Sequence, residues 1–555
     1  MTVANHSAAP GSTDIAARLS YVSGASQPKD LEEGYNSAKT PETNGEEFEG
    51  GALRAGGRPI LTSRDNVGLL VQYAVVGLVY GSLPETIYPF LQEYLNCSGA
   101  QVTTATTLVV LPWSFKAFYG IISDCFPIRG YRRRPYMLLG WGICFIMLLV
   151  MAVTPVGKPY YTNSADRDVK VADYTPEIEA RINYGAPSEG AKYVMLMFFA
   201  AFGYVMSDVC ADGIMAEMAQ REPADVRGKT QTAIYTVRTI FVIIGEIITG
   251  FCFNGKDYGG DFDFSLSFPQ LMIIFTVCTV PVFPATWFFI KEEKHEKPVF
   301  KEYITNLWDL LCKRAVYQVV AFIFFYNLFQ DISYTASSPI KSYLIDVTPI
   351  NSTISDILSN LLFMIGLMVT SKWGLHWNWH WMIIGTGAFV IIIDCATTLI
   401  SVWDILRNQW FWLGPPIAVQ LPYGVGWMIA NFVIVELIGD GNEGAMYGLA
   451  TTVGNVASPF ATTLTLSDTH NVRMDITWTV IIMYCCTMFA WSFLLLLPKQ
   501  KAQCQELLRK GGSSRLLGGI TVFYVCFAVV WSVMTNIMAI FDSTSCLVIA
   551  GGSGC

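Results

Sequence analysis

Leu111 to Tyr136 reads LPWSFKAFYGIISDCFPIRGYRRRPY. An apolar run ends in Ser123-Asp124, and a turn marked by Pro127 and Gly130 follows, carrying Arg129, Arg132, Arg133 and Arg134. A new apolar run begins at about Tyr136. The stretch therefore reads as two membrane helices joined by a short basic connection, with an acid at the end of the first. Such an acid, facing arginines across a tight loop, can hold one arrangement of a helical bundle and release it in another. Asp124 and the four arginines are accordingly read as a conformational latch. The alternative is that the arginines only mark the cytoplasmic side.

Composition sets the solvent. Of 555 residues 52% are hydrophobic and only 14% charged, against roughly 25% charged in a soluble chain, so the chain is expected to be dissolved in lipid. Its formal charge of -8 comes largely from acids in the N-terminal tail and one long loop, which argues for no nucleic-acid partner. The 14 cysteines contain no CxxC pair and read as small core residues; Cys97, Cys546 and Cys555 fall in segments placed outside and can pair there. Residues 1–64 lack an apolar core, so no cleavable signal is read, and the first span serves as its own targeting signal.

Spans of roughly 20 apolar residues fall near 67–91, 100–123, 136–154, 193–219, 230–253, 268–290, 315–335, 354–372, 380–402, 410–437, 443–466 and 474–497. A further charge-free run, Leu516–Phe541, makes thirteen. The expected organisation is a disordered cytoplasmic tail over 1–64, a six-helix bundle over 65–290, a cytoplasmic inter-bundle loop over 291–314, a second six-helix bundle over 315–498, a basic linker over 499–515, the thirteenth helix over 516–541 and an extracytoplasmic tail over 542–555. Every second connection is rich in lysine and arginine, which places the N-terminus in the cytoplasm. The sequons Asn96-Cys97-Ser98 and Asn351-Ser352-Thr353 then both lie outside and are expected to be glycosylated; Asn5-His6-Ser7 lies inside and is silent.

Charged groups inside spans are expensive, so each is a candidate for function. Asp208 and Asp212 share one helix face. Arg238, on the fifth span, comes out at the same depth as Asp208, roughly 15 Å in at about 1.5 Å per residue. The Asp-Arg-Asp cluster reads equally as a buried structural ion pair or as a site where substrate and proton compete for the arginine. Lys116 is placed near the cytoplasmic end of the second span, where snorkelling to the interface is favoured over meeting a substrate carboxylate. Glu85, beside Pro84, reads as a hinge or gate group. Glu217 is assigned to the latch, with Arg221, Arg227 or the arginine loop. Asp331 is a substrate-site candidate and Asp394 structural. Among aromatics, Tyr235 is singled out to stack on a flat cargo because it lies within a turn of Arg238; Phe325, Tyr326 and Tyr447 more often pack or face lipid.

Gly77 with Gly81, and Gly444 with Gly448, read as close-packing faces. His376 and His380 belong to an interfacial aromatic belt, and no metal or cofactor is expected. No nucleophile-base pair, HExxH or GxxxxGK[ST] motif occurs in the spans, which argues against an enzyme and against ATP-driven transport.

The series LPWSFK, YG, SD and PIRGYRRRPY resembles the signature of the folate-biopterin transporter family, a branch of the major facilitator superfamily. SDVCADGIMAEMA at 207–219, RGKTQTAIYTVR at 227–238 and EGAMYGLATTVGN at 443–455 are similar to that family's fourth, fifth and eleventh spans. The resemblance covers about 67–497. It implies two six-helix bundles, alternating access, and pterin, folate or a related metabolite as cargo. Departures are Lys116-Ala117 in place of Lys-Pro, a poor match over 331–356, and SKWGLHWNW at 371–379 where a second arginine loop would stand. The expectation is therefore an all-α integral membrane protein of major facilitator type with an extra C-terminal helix, in the plasma membrane or an organelle membrane. It acts as a monomeric secondary transporter whose partners are a small molecule, the lipid bilayer and, on one reading of the cluster, protons. Its rivals are a non-transporting receptor or scaffold of the same fold, or a carrier of another metabolite such as S-adenosylmethionine.

Overall fold

In the structure, a computed structural model, residues 49–170, 173–260, 262–332, 347–463 and 472–540 are described, with a few isolated positions beyond them. The described apolar runs are helical. α1 (Val67–Ser82) continues through turns at Pro84–Thr86 and Tyr88–Tyr94; α2 (Gly99–Val110) passes through a 3-10 turn at Leu111–Phe115 into α3 (Lys116–Cys125). Then come α4 (Arg134–Val153), α5 (Gly190–Gln220), α6 (Lys229–Cys252), α7 (Phe268–Thr279) and α8 (Val282–Phe288). The second half holds α9 (Phe300–Leu311), α10 (Arg314–Gln330), α11 (Pro349–Trp373), α12 (Trp379–Val402), α13 (Gln409–Leu437), α14 (Glu443–Thr463) and α15 (Val472–Ala490), followed by α16 (Lys501–Lys510) and α17 (Arg515–Ile540).

Local chemistry sets several helix starts. Ser98 and Gln101 form a capping box on α2, and the side chains of Asn378 and Asn408 cap α12 and α13, each meeting N–H groups that a helix start leaves unpaired; Pro135 in the first turn of α4 has no N–H to leave unpaired.

Eleven helices among the described residues are long and apolar enough to cross a membrane, α17 included. Beside them stand α10, with 17 described residues, and α14, whose sequence is diluted by glycine and threonine. The most apolar window of α12 has a mean hydropathy of 2.1 yet is only 17% buried, and its Phe389 and Ile392 face outward. Apolar side chains turned outward over a whole helix require lipid around them.

α1 to α8 pack together as one half and α10 to α15 as the other, while α17 lies against α14, α2 and α10. Two expected loops contain helices. The stretch 291–314 holds α9, which buries Tyr303, Leu307, Leu310 and Leu311, and 499–515 holds α16. Their apolar residues recur at helical spacing, which the density of charge around them obscures. Residues 1–48 and most of 541–555, with Cys546 and Cys555, lie outside the described residues; Cys97 is a buried free thiol.

The seam between the halves is made by α3 against α14, α5 against α13 and α14, and α6 against α11. Along α3 and α14 the two backbones touch. A Cβ at Gly120 would stand 2.1 Å from the Gly444 carbonyl oxygen, and one at Gly448 would stand 2.5 Å from that of Lys116. Within the first half, Gly77 plays the same part against the Arg238 backbone.

Candidate functional site

α5 places Asp208 and Asp212 one turn apart, and both turn inward. Lys116 lies between them, its Nζ 2.8 Å from Asp208 Oδ2 and 2.6 Å from Asp212 Oδ2. Tyr73 of α1 donates its hydroxyl hydrogen to Asp212 Oδ1 at 2.6 Å. Arg238 of α6 approaches Asp208 Oδ1 at 4.0 Å. When both acids are ionised, two carboxylates and two cations balance, and opposite charges in contact are what allows such groups at this depth.

Snorkelling of Lys116 is overturned: the side chain is buried, with only 4% exposed. The reason is geometric. Lys116 opens α3 and lies nine residues before Cys125, about 13 Å from the helix end at 1.5 Å per residue, too deep to reach the interface when two acids stand at its own level. The Asp-Arg-Asp cluster is thus an Asp-Lys-Asp cluster with Arg238 at its edge.

Arg238 differs from Lys116 in having room. Its side chain is 16% exposed, and its guanidinium carbon lies 5.1 Å from the ring centre of Tyr80 and 5.3 Å from that of Trp113. Tyr80 is 41% exposed. Tyr423 of α13, 50% exposed, comes within electrostatic range of Tyr80 and Asp331 from the other half. Next to them Tyr235 stands edge-on to Tyr73, with ring centres 6.0 Å apart, and to Trp427, at 4.9 Å. One guanidinium and a set of aromatic faces therefore meet where the halves meet.

The residues expected to form a latch lie at the face of the arginine loop, the basic face, where most of them make ion pairs. Arg133 Nη2 is 2.5 Å from Asp124 Oδ1 and 3.4 Å from Glu443 Oε2. Glu443, the first residue of α14, also takes Arg132 at 3.3 Å and Arg54 at 2.5 Å. Asp124 Oδ2 accepts the Ala445 N–H at 2.8 Å and the Tyr303 hydroxyl at 3.1 Å. Glu292 accepts the backbone N–H groups of Arg132, Arg133 and Arg134 at 2.6, 2.8 and 2.9 Å, fixing the loop. A second tie runs from Arg227 to Glu436, 2.8 Å to each carboxylate oxygen. Lys501 of α16 donates to the Arg227 carbonyl, and burial pushes its amine down to about 8.

A strap precedes α1. The N–H groups of Leu53 and Arg54 donate to the Gln220 carbonyl at 2.9 and 3.1 Å, while Arg54 reaches over to Asp440 and Glu443. His295 sets its Nε2 3.2 Å from Arg132 Nη2. Partial desolvation and then the Arg132 charge hold this imidazole below its ordinary pKa.

Not every expected latch residue takes part. Arg132, Arg133 and Asp124 do, and Glu217 meets Arg132 at 3.9 Å rather than Arg221 or Arg227. Arg129 stands exposed at a left-handed turn position, φ 55°, and makes no ion pair among the described residues. Arg134 donates to the carbonyls of Thr286 and Trp287 and so anchors α4 to α8 within one half. Glu85 is exposed in its turn, within electrostatic range of Glu246, and Asp331 ends α10. Asp394 accepts the Tyr484 hydroxyl, in keeping with a structural part. Asn96 adopts φ 55°; Asn351 lies in the first turn of α11 and donates to Gln409 at 2.6 Å. His380 binds the Leu497 carbonyl. Glu443, Arg54, Tyr73, Tyr80 and Trp113 were not anticipated. Of these Glu443 carried a signal: an acid opening an apolar span, mirroring Asp124 at the end of another.

The sequence model of the BT1 family matches residues 77–166 and 184–515, most of the chain. This chain belongs to the BT1 family. Among curated BT1 relatives it is similar to the folate-biopterin transporter of Synechocystis sp., 22% identical over 76% of this chain and 79% of that one. It is also similar to folate transporter 1 of Plasmodium falciparum, 18% identical over 43% of this chain and 39% of that protein's length. In fold it resembles a D-xylose-proton symporter, with a TM-score of 0.54 at 11% identity over 81% of this chain and 98% of that one. BT1 membership and this likeness make the chain a multi-pass membrane transporter of the major facilitator fold.

Proposed function

We propose that the protein is a secondary active transporter that carries a folate, a pterin or a related flat metabolite by alternating access, with the basic face in the cytoplasm. Arg238 carries this reading: a partly exposed guanidinium between Tyr80 and Trp113, at the seam of the two halves, 4.0 Å from Asp208. Arginine pairs with carboxylates through a planar fork, and flat heterocycles stack on aromatic faces. The names of the relatives point to the same cargo class. The glutamate carboxylate of a folate cargo at Arg238 competes with Asp208, and weakening that attraction frees α6 from α5. Lys116, Asp208 and Asp212 are the groups through which a proton can be coupled, since a proton on either acid changes what Lys116 and Arg238 must neutralise.

The test is uptake into liposomes holding the purified protein, screened with folic acid, biopterin and S-adenosylmethionine with and without a pH gradient. Saturable uptake of folic acid or biopterin that fails in Arg238→Ala supports the proposal. Transport of S-adenosylmethionine alone would replace the cargo, and binding without movement of any of the three would favour a receptor.

A further inference from the structure

α14 carries three features within its first two turns. Glu443 is the carboxylate shared by three arginines, Gly444 and Gly448 lie backbone-to-backbone on α3, and Tyr447, one turn after Glu443, buries its hydroxyl at the seam. That hydroxyl is bonded to the hydroxyl of Tyr235 in the other half. It also accepts from Gln231 Nε2 at 3.2 Å and donates to Asn431 Oδ1 at 3.3 Å. With its one hydrogen given to Asn431, the Tyr235 contact has Tyr235 as donor. Tyr235 stands against Tyr73, and Tyr73 holds Asp212. The path from the charged site to the helix that bears the latch carboxylate is therefore Asp212, Tyr73, Tyr235, Tyr447.

The network is not fully satisfied. Among the described residues the buried side-chain oxygen of Gln231 has no hydrogen-bond partner, so a second arrangement of these amides and hydroxyls has something to gain. Because α3 and α14 touch along their backbones, α14 moves past α3 only as a unit. Any such motion displaces Glu443 and Tyr447 together.

Resting on the transporter reading above, we propose that Tyr447 is a positioning residue of the transport cycle. Its hydroxyl, held by Tyr235, keeps α14 seated, and rearrangement at Asp208, Asp212 and Lys116 releases that bond and with it the Glu443 latch. The residue touches no cargo. It acts by linking the state of the site to the opening of the basic face.

The experiment uses the full chain in lipid nanodiscs and follows alkylation of Cys125 by a polar maleimide, read by peptide mass spectrometry. Cys125 is buried beside Asp124 at the end of α3 and becomes reachable when the basic face opens. Without cargo, Tyr235→Phe, which loses only the bond to the Tyr447 hydroxyl, is expected to speed labelling about five- to tenfold, the worth of one buried neutral hydrogen bond. Tyr447→Phe, which also gives up the contacts to Gln231 and Asn431, is expected to speed it at least as much, and the double variant no more than Tyr447→Phe alone. Wild-type rates in both single variants, or effects that multiply in the double variant, would overturn the proposal. In a second arm folic acid alters the labelling rate of the wild type and leaves that of Tyr447→Phe unchanged. A wild type indifferent to folic acid would count against the cargo assignment, while the cargo-free arm still decides the role of Tyr447. An unchanged melting temperature in Tyr235→Phe separates release of the latch from general loosening.

Discussion

Asp124 caps a helix to which it does not belong: its Oδ2 accepts the Ala445 N–H at 2.8 Å, in the first turn of α14. A carboxylate there pairs with an N–H that the helix start leaves unmet and with the positive end of the helix dipole. The same carboxylate holds Arg133, so one acid at the end of α3 ties the arginine loop of its own half to a helix of the other. Moving the halves apart at the basic face breaks the Ala445 bond and the contact between Arg133 and Glu443, and leaves Asp124 with Arg133 inside its own half.

Asp124→Ala strips Arg133 of its nearest partner while the guanidinium stays buried, a change that costs about 3–5 kcal/mol when no other carboxylate compensates. Glu443 at 3.4 Å offsets part of it. The expected result is a lower melting temperature and a basic face open in the absence of cargo. Asp124→Asn keeps an oxygen for Ala445 and falls between the two. Thermal melting in detergent, run on all three proteins, orders them.

The strap before α1 makes a separable prediction. Arg54→Ala removes a charged hydrogen bond to Glu443, worth about 1.5–3 kcal/mol, without touching Arg133. Hydrogen exchange should rise over residues 49–58 and at the start of α14, and stay as in the wild type in α7. Equal protection of the strap in both proteins would show that Arg54 is not what holds it.

Gly120 and Gly142 form a matched pair. A Cβ at Gly120 meets backbone of α14 at 2.1 Å, whereas at Gly142 it meets nothing within 4 Å. Gly120→Ala is expected to destabilise by about 1–3 kcal/mol through overpacking and to impair uptake. Gly142→Ala should melt and transport as the wild type does. Paired melting curves and uptake rates check both.

His295 gives the latch a dependence on pH. In the latched state burial and Arg132 hold its pKa below 6.5, so protons bind more readily once the latch is open. Latch stability therefore rises with pH up to about 6.5 and falls as the basic face is acidified. Below that pH wild-type Cys125 should alkylate faster relative to a free thiol at the same pH, since the thiolate is the reacting form, and His295→Gln should flatten the dependence. A slope equal in both proteins would place the responsible group elsewhere.

Much of this was legible in the chain. Asp124, the arginine loop, the depth match of Asp208 and Arg238, and the glycine faces follow from short-range spacing and span length, which fix depth and helix face. What spacing does not carry is which residue of one half meets which of the other. Glu443 and Tyr447 were visible as residues, yet their partners lie more than two hundred positions away in sequence. Tyr73 had no distinguishing mark among 26 tyrosines. For Lys116, seven residues from a span end at 123 reads as within snorkelling reach, whereas Asp208 and Asp212 hold its amine inside; span length alone does not show those partners. Arg134 was grouped with its neighbours by composition, while the helical geometry of α4 turns it toward α8.

Opening of the basic face during transport is the claim on which the account rests. The most direct measurement is the distance between spin labels at Arg129→Cys and Lys510→Cys, both exposed and outside the latch, in nanodiscs with and without folic acid. The account predicts a single short distance without cargo and a second population, longer by about 5 Å or more, when folic acid is present. One unchanged distance in a preparation that demonstrably transports folic acid would contradict it.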